Sequence, residues 1–62
     1  MRVLARVKAN DNIELVIRKN EWEQYECTAY QNGTVTEWCF EEDDLESCKA
    51  TMNAEIDRGI QL

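Results

Sequence analysis

The sequence predicts an α+β fold: a four-stranded antiparallel β-meander with one C-terminal α-helix packed on one face. Three observations predict it. Asn32-Gly33 stands between two alternating stretches, and Asn-Gly is the preferred centre of a two-residue type I′ hairpin. The stretches before and after Asn10-Asp11-Asn12, a cluster of turn formers, alternate in the same way. From Asp43 onward the apolar period changes from that of a strand to that of a helix. The expected elements are strands over about 2–9, 13–18, 22–30 and 34–40 and a helix over about 44–58, making a single domain over 1–62.

The first hairpin follows from side-chain parity. A three-residue loop over 10–12 pairs Ala9 with Ile13, Val7 with Leu15 and Ala5 with Ile17. The apolar sets then share one face, and Lys8 meets Glu14 on the other. A two-residue loop would set Lys8 beside Leu15, because a slip of one residue flips every side chain. The last loop position is expected in the left-handed region, which Asn12 tolerates.

The link Lys19-Asn20-Glu21 reads as a second three-residue loop, pairing Leu15 with Tyr25 and Ile13 with Cys27. That register sets Glu14 against Glu26, partly offset by Lys8 on the far side of Glu14. The Asn32-Gly33 turn sets Tyr30 opposite Val35, Ala29 opposite Thr36, Cys27 opposite Trp38 and Tyr25 opposite Phe40. Three consecutive hairpins make a meander in sequence order the simplest topology.

Leu45, Cys48, Met52 and Ile56 form one helical stripe. Asp43 with Glu46 resembles a capping box, and Gly59-Ile60 reads as a stop, with the glycine in the left-handed region and the isoleucine packing back. A helix of about 15 residues spans roughly 22 Å, the length of a six- or seven-residue strand. The expected core is Val3, Ala5, Val7, Ile13, Leu15, Ile17, Tyr25, Cys27, Trp38, Phe40, Leu45, Cys48, Met52 and Ile56.

Composition narrows the function classes. With no His, a Cys-His or Ser-His pair is impossible, and a domain this small has scant room for an active-site cleft, so no catalytic residue is expected. No cofactor motif is present. Three Cys with no C-x-x-C and no His do not make a zinc framework. Their odd number, and the lack of a secretory signal at the start, lead us to expect reduced thiols in a cytoplasmic protein. No apolar run approaches the roughly 20 residues of a membrane span. The formal net charge is −6, with residues 1–20 at +3 and residues 21–62 at −9. A net-acidic chain is a poor partner for phosphate, so direct nucleic-acid binding is not expected, and an acidic surface favours basic partners.

Two features point to a contact surface. Glu41, Glu42, Asp43, Asp44 and Glu46 form the densest charge cluster. Carboxylates at a helix N-terminus are favoured by about 0.3–1 kcal/mol each, and one or two satisfy that need. The excess reads either as part of that solvated helix start or as a means of meeting a basic surface. The run lacks the alternation and the glycine of a calcium loop, so no metal is expected. The sheet's second face would carry Leu4, Val16, Trp22, Tyr30, Val35 and Cys39 among Arg2, Arg6, Arg18, Gln24, Glu26 and Glu37, with Trp22 opposite Arg18 in stacking range. Trp, Tyr and Arg are common interface anchors, and equally ordinary cross-strand packing.

The expected function is a non-enzymatic binding protein that occupies a basic surface of a larger protein. Trp22 and Tyr30 would be its anchors, flanked by Glu37, and the 41–46 carboxylates would steer the approach. Such a surface is often a nucleic-acid site. In size, charge and architecture the chain resembles phage-encoded inhibitors of host defence, including the anti-CRISPR group; the resemblance implies an inhibitor acting as a nucleic-acid mimic and transfers no site residues. The alternative is a small homo-oligomeric structural or accessory module, possible as a homodimer, with the second sheet face as its interface. A third reading is a nucleic-acid binder using the Arg-rich first strand.

Overall fold

The structure, a computed structural model, describes residues 2–62. It contains β1 (Val3–Lys8), β2 (Ile13–Lys19), β3 (Tyr25–Gln31), β4 (Thr34–Glu42) and α1 (Leu45–Arg58). The strands form one antiparallel sheet in the order β1-β2-β3-β4, and α1 packs on one face against β3 and β4. This is the predicted ββββα fold. Ile13, Leu15, Ile17, Cys27 and Ala29 from the sheet and Cys48 and Met52 from the helix make the buried centre. Trp38 and Phe40 flank it in an edge-to-face pair, with ring centroids 5.7 Å apart. The helix stripe read from the sequence therefore meets the predicted strand face. That reading changes at its margins: Ala29 joins the buried centre, Ala9 packs against it, and Val3 lies outside the cluster.

The first hairpin has the predicted register, with Val7 opposite Leu15 and Ala5 opposite Ile17. Its loop closes differently. Asn12 is not in the left-handed region. Instead the Asn10 side-chain oxygen accepts the backbone N–H groups of Asn12 (2.8 Å) and Ile13 (2.9 Å), so a side chain rather than a positive φ turns the chain. Near the start of β1 the register shifts by one residue between Val3 and Ala5.

The second hairpin departs from the predicted register by four residues. Leu15 faces Ala29 rather than Tyr25, and Cys27 faces Ile17 rather than Ile13. The connection is correspondingly longer, over 20–24. Electrostatics favours this outcome. Glu14 now faces Tyr30 rather than Glu26, and Glu26 faces Arg18. Like charges directly opposite each other are destabilising, and the shift removes the Glu14–Glu26 pair and gives Glu26 an Arg18 neighbour that offsets Glu41, which faces it from β4. Trp22 consequently lies in the loop, not on the sheet opposite Arg18.

At the third hairpin Asn32 (φ 51°) and Gly33 (φ 83°) both take the positive φ of a type I′ turn, and Tyr30 faces Val35 as predicted. Beyond that pair the register slips by two, so that Cys27 faces Phe40 and Tyr25 faces Glu42. The slip is a bulge in β4 opposite Ala29. Thr36 fills it: its hydroxyl donates to the Ala29 carbonyl (2.8 Å) and accepts from the Trp38 N–H (3.2 Å). A slip of two keeps parity, so Trp38 and Phe40 remain on the helix side.

The helix cap is one residue later than predicted. Asp44, not Asp43, is the N-cap, accepting from the Ser47 N–H at 2.8 Å, with the Ser47 hydroxyl donating to its other oxygen at 3.1 Å. Gly59 ends the helix with φ 89° and ψ 124°, a positive φ outside the left-handed helical well, and Ile60 packs back on the core.

Candidate partner-binding site

The loop over 20–24 is built around Asn20. Its side-chain oxygen accepts the backbone N–H groups of Trp22 (2.9 Å) and Gln24 (3.0 Å), while its own N–H donates to the Gln24 carbonyl (2.7 Å). Asn20 is only 8% exposed, and its remaining polar group is satisfied: Nδ2 donates to the Glu41 carboxylate at 2.8 Å. A buried polar side chain survives in a fold when its hydrogen bonds are made, and this one makes them to two different elements. Gln24 adds a longer bond to Asp43 (3.4 Å), and Lys19 clasps Glu23 at 2.7 Å across the loop. The Lys19 ammonium holds the Glu23 carboxyl below its ordinary pKa, and Glu23 raises that of Lys19, chiefly through their hydrogen bond. Glu23 takes φ 64°, strained for a residue with a side chain, so the loop's shape is held by its bonds.

These ties fasten the Trp22 loop to the end of β4 and the segment that enters α1. Trp22 itself is 70% exposed. Around it the same end of the sheet collects the predicted carboxylates. Glu41 is exposed on the helix-free face and bonded to Asn20; Glu42 is half-buried on the helix face; Asp43 and Glu46 are exposed; Asp44 is exposed but committed to capping α1. Glu21 and Glu23, on either side of Trp22, join this end. The prediction omitted both, although their adjacency to Trp22 in the sequence was the available signal. Tyr30 and Glu37 are not part of it. Tyr30 is half-buried toward the opposite end of the sheet, beside the Asn32-Gly33 turn, and Glu37 is exposed in the β4 bulge.

The helix-free face also differs from the sequence reading. Val16 is 2% exposed although no helix covers it. Its neighbours across the strands are Arg6 and Thr28, and Arg18 and Glu14 flank it along β2 on the same face, side chains long enough to shield it from water. Arg18 lies over the Tyr30 ring, 5.6 Å from its centroid, in the place expected for Trp22.

Cys27, Cys39 and Cys48 carry free thiols; Cys27 and Cys48 are buried, and Cys39 is exposed on the other face. Burial, reinforced by repulsion from the other two thiolates, pushes Cys27 up to about 12. Burial and then the Glu42 charge raise Cys48. Both are packing groups rather than nucleophiles at neutral pH. Among the described residues no group of three or more His, Cys, Asp or Glu side chains is arranged to hold a metal ion, and no helix is long and apolar enough to cross a membrane. Compared with protein-family models, curated proteins and solved structures, the chain matches none.

Proposed function

We propose that this chain is a non-enzymatic, cytoplasmic binding protein that occupies a basic, nucleic-acid-binding surface of a larger protein, in the manner of phage-encoded anti-defence and anti-CRISPR inhibitors. The observation that carries the reading is the Asn20–Glu41 bond, which fastens an exposed Trp22 to the carboxylate run. An aromatic anchor ringed by like charges is suited to a partner that presents an apolar pocket among Lys and Arg. Trp22 would be the desolvated anchor. Glu21, Asp43 and Glu46 would meet the partner's cations, with Glu42 adding field and Glu41 and Asp44 adding field while they hold the scaffold.

The test is capture from an extract of the source cells on the tagged chain, with Trp22→Ala and Asp43→Lys/Glu46→Lys variants in parallel. The reading expects one retained nucleic-acid-binding protein that elutes as salt rises, is displaced by its own DNA or RNA, and is lost with either variant. Retention unaffected by both variants would overturn it. Light scattering separates the homo-oligomeric alternative: a stable dimer that buries Trp22 favours the module, a monomer favours the inhibitor.

A further inference from the structure

Opposite the acidic end, the helix-free face holds a cleft of about 320 Å³ that the reading above does not use. Its walls concentrate the chain's positive charge. Arg6, Lys8 and Arg18 line it, three of seven cations, against Glu14 and Asp11, two of thirteen carboxylates. The volume is at the lower end of the roughly 300–1,000 Å³ typical of small-molecule sites.

The donors there are largely uncommitted. Among the described residues neither Lys8 nor Arg18 has a carboxylate within ion-pair distance, and Arg6 reaches Glu14 only at 3.7 Å. Arg18 is held instead over the Tyr30 ring, above a floor that includes Val16. A guanidinium fixed on an aromatic ring presents a planar platform and a fork of N–H groups at the same point. Nucleobases stack on such platforms, and the fork matches a phosphate. The two carboxylates would be a liability for a simple anion. For a ligand that also carries hydroxyl or amino donors they are acceptors.

The geometry points to a binding site for a nucleoside monophosphate: phosphate on Lys8 and Arg18, base against the Arg18–Tyr30 pair, sugar or exocyclic donors on Glu14. The site is separate from the Trp22 end, so its failure leaves the proposed inhibitor function untouched, and the converse also holds.

Amide chemical shifts of β2 and β3, followed by NMR at low salt while adenosine monophosphate is added, test the assignment. Adenosine, inorganic phosphate and a 5′-phosphorylated oligonucleotide serve as separate arms. The expected result is saturation below about 1 mM for the nucleotide, with adenosine and phosphate each at least about tenfold weaker. The oligonucleotide should bind no tighter than the mononucleotide, because its further phosphates would meet a chain of net negative charge. Arg18→Gln and Lys8→Gln, both folded by their spectra, should each weaken the nucleotide by about three- to tenfold, and Tyr30→Leu should weaken it without changing the response to phosphate. Absence of saturation, phosphate binding as tightly as the nucleotide, affinity that climbs with strand length, or variants that bind like the parent each overturns the assignment.

Discussion

The first and second loops of the sheet use the same device for different ends. In each, an asparagine side-chain oxygen accepts two backbone N–H groups that follow it, those of Asn12 and Ile13 at Asn10 and those of Trp22 and Gln24 at Asn20. Asn10 is exposed and its bonds are confined to its own turn. Asn20 is buried and spends its amide on Glu41, 21 positions further along the chain. The first loop is tied outward through its backbone instead, the Asn32 N–H donating to the Asn12 carbonyl at 2.8 Å. The second also fixes where an exposed tryptophan stands relative to a distant charge cluster. What separates the two loops is the side-chain bond that leaves the turn at Asn20 and has no counterpart at Asn10.

Substitutions can break or sharpen that contrast. The largest effect is expected at Asn20→Ala, which leaves two N–H groups without their acceptor and Glu41 without its donor; we expect a loss of about 2–3 kcal/mol in urea unfolding. Asn10→Ala, whose freed groups reach water, should cost about 1 kcal/mol or less. Equal losses at the two positions would mean that the Asn20–Glu41 bond adds nothing to the fold. Asp44→Ala should also cost about 1 kcal/mol by uncapping α1, whereas Asp43→Ala, next to it, should cost almost nothing by the same measurement. Trp22→Ala should leave stability within about 0.5 kcal/mol while abolishing partner capture. The smallest effect is a titration. Glu23 has a lowered pKa, so the Lys19 clasp is intact above the ordinary glutamate value and is lost as pH falls through the lowered one. Carbon-detected NMR should place the Glu23 midpoint below the ordinary glutamate value, and Lys19→Gln should move it back up.

The same comparison explains what could be read in advance. Strand parity, the Asn32-Gly33 turn and the stripe Leu45-Cys48-Met52-Ile56 were all legible, and together they placed Trp38 and Phe40 under the helix correctly. Alternation, however, reports register only modulo two. The four-residue shift between β2 and β3 and the two-residue slip between β3 and β4 both preserve the faces, so the apolar pattern is blind to them. Between β2 and β3 the discriminating signal was electrostatic, since the predicted register opposed Glu14 to Glu26 and the observed one pairs Glu26 with Arg18; between β3 and β4 charge gave no such signal, because the slip sets Glu26 opposite Glu41. Trp22 was misplaced for the same reason, since its position depended on loop length rather than on face. The cap fell on Asp44 instead of Asp43 because two adjacent aspartates offer the same chemistry and Ser47 could answer only the second. Asn20 gave little warning of its reach to Glu41, a contact made by tertiary geometry alone.

One feature of the outer strands has a wider result. β1 and β4 are the free margins of the sheet, and each carries an irregularity, the shift between Val3 and Ala5 in one and the Thr36 bulge in the other. A further strand laid along either margin would find its ladder of donors and acceptors out of step partway along. Growth of the sheet by addition of neighbouring molecules, the route to fibrous aggregates, is thereby obstructed at both sides. A chain this short thus carries its guard against self-templating in its backbone irregularities.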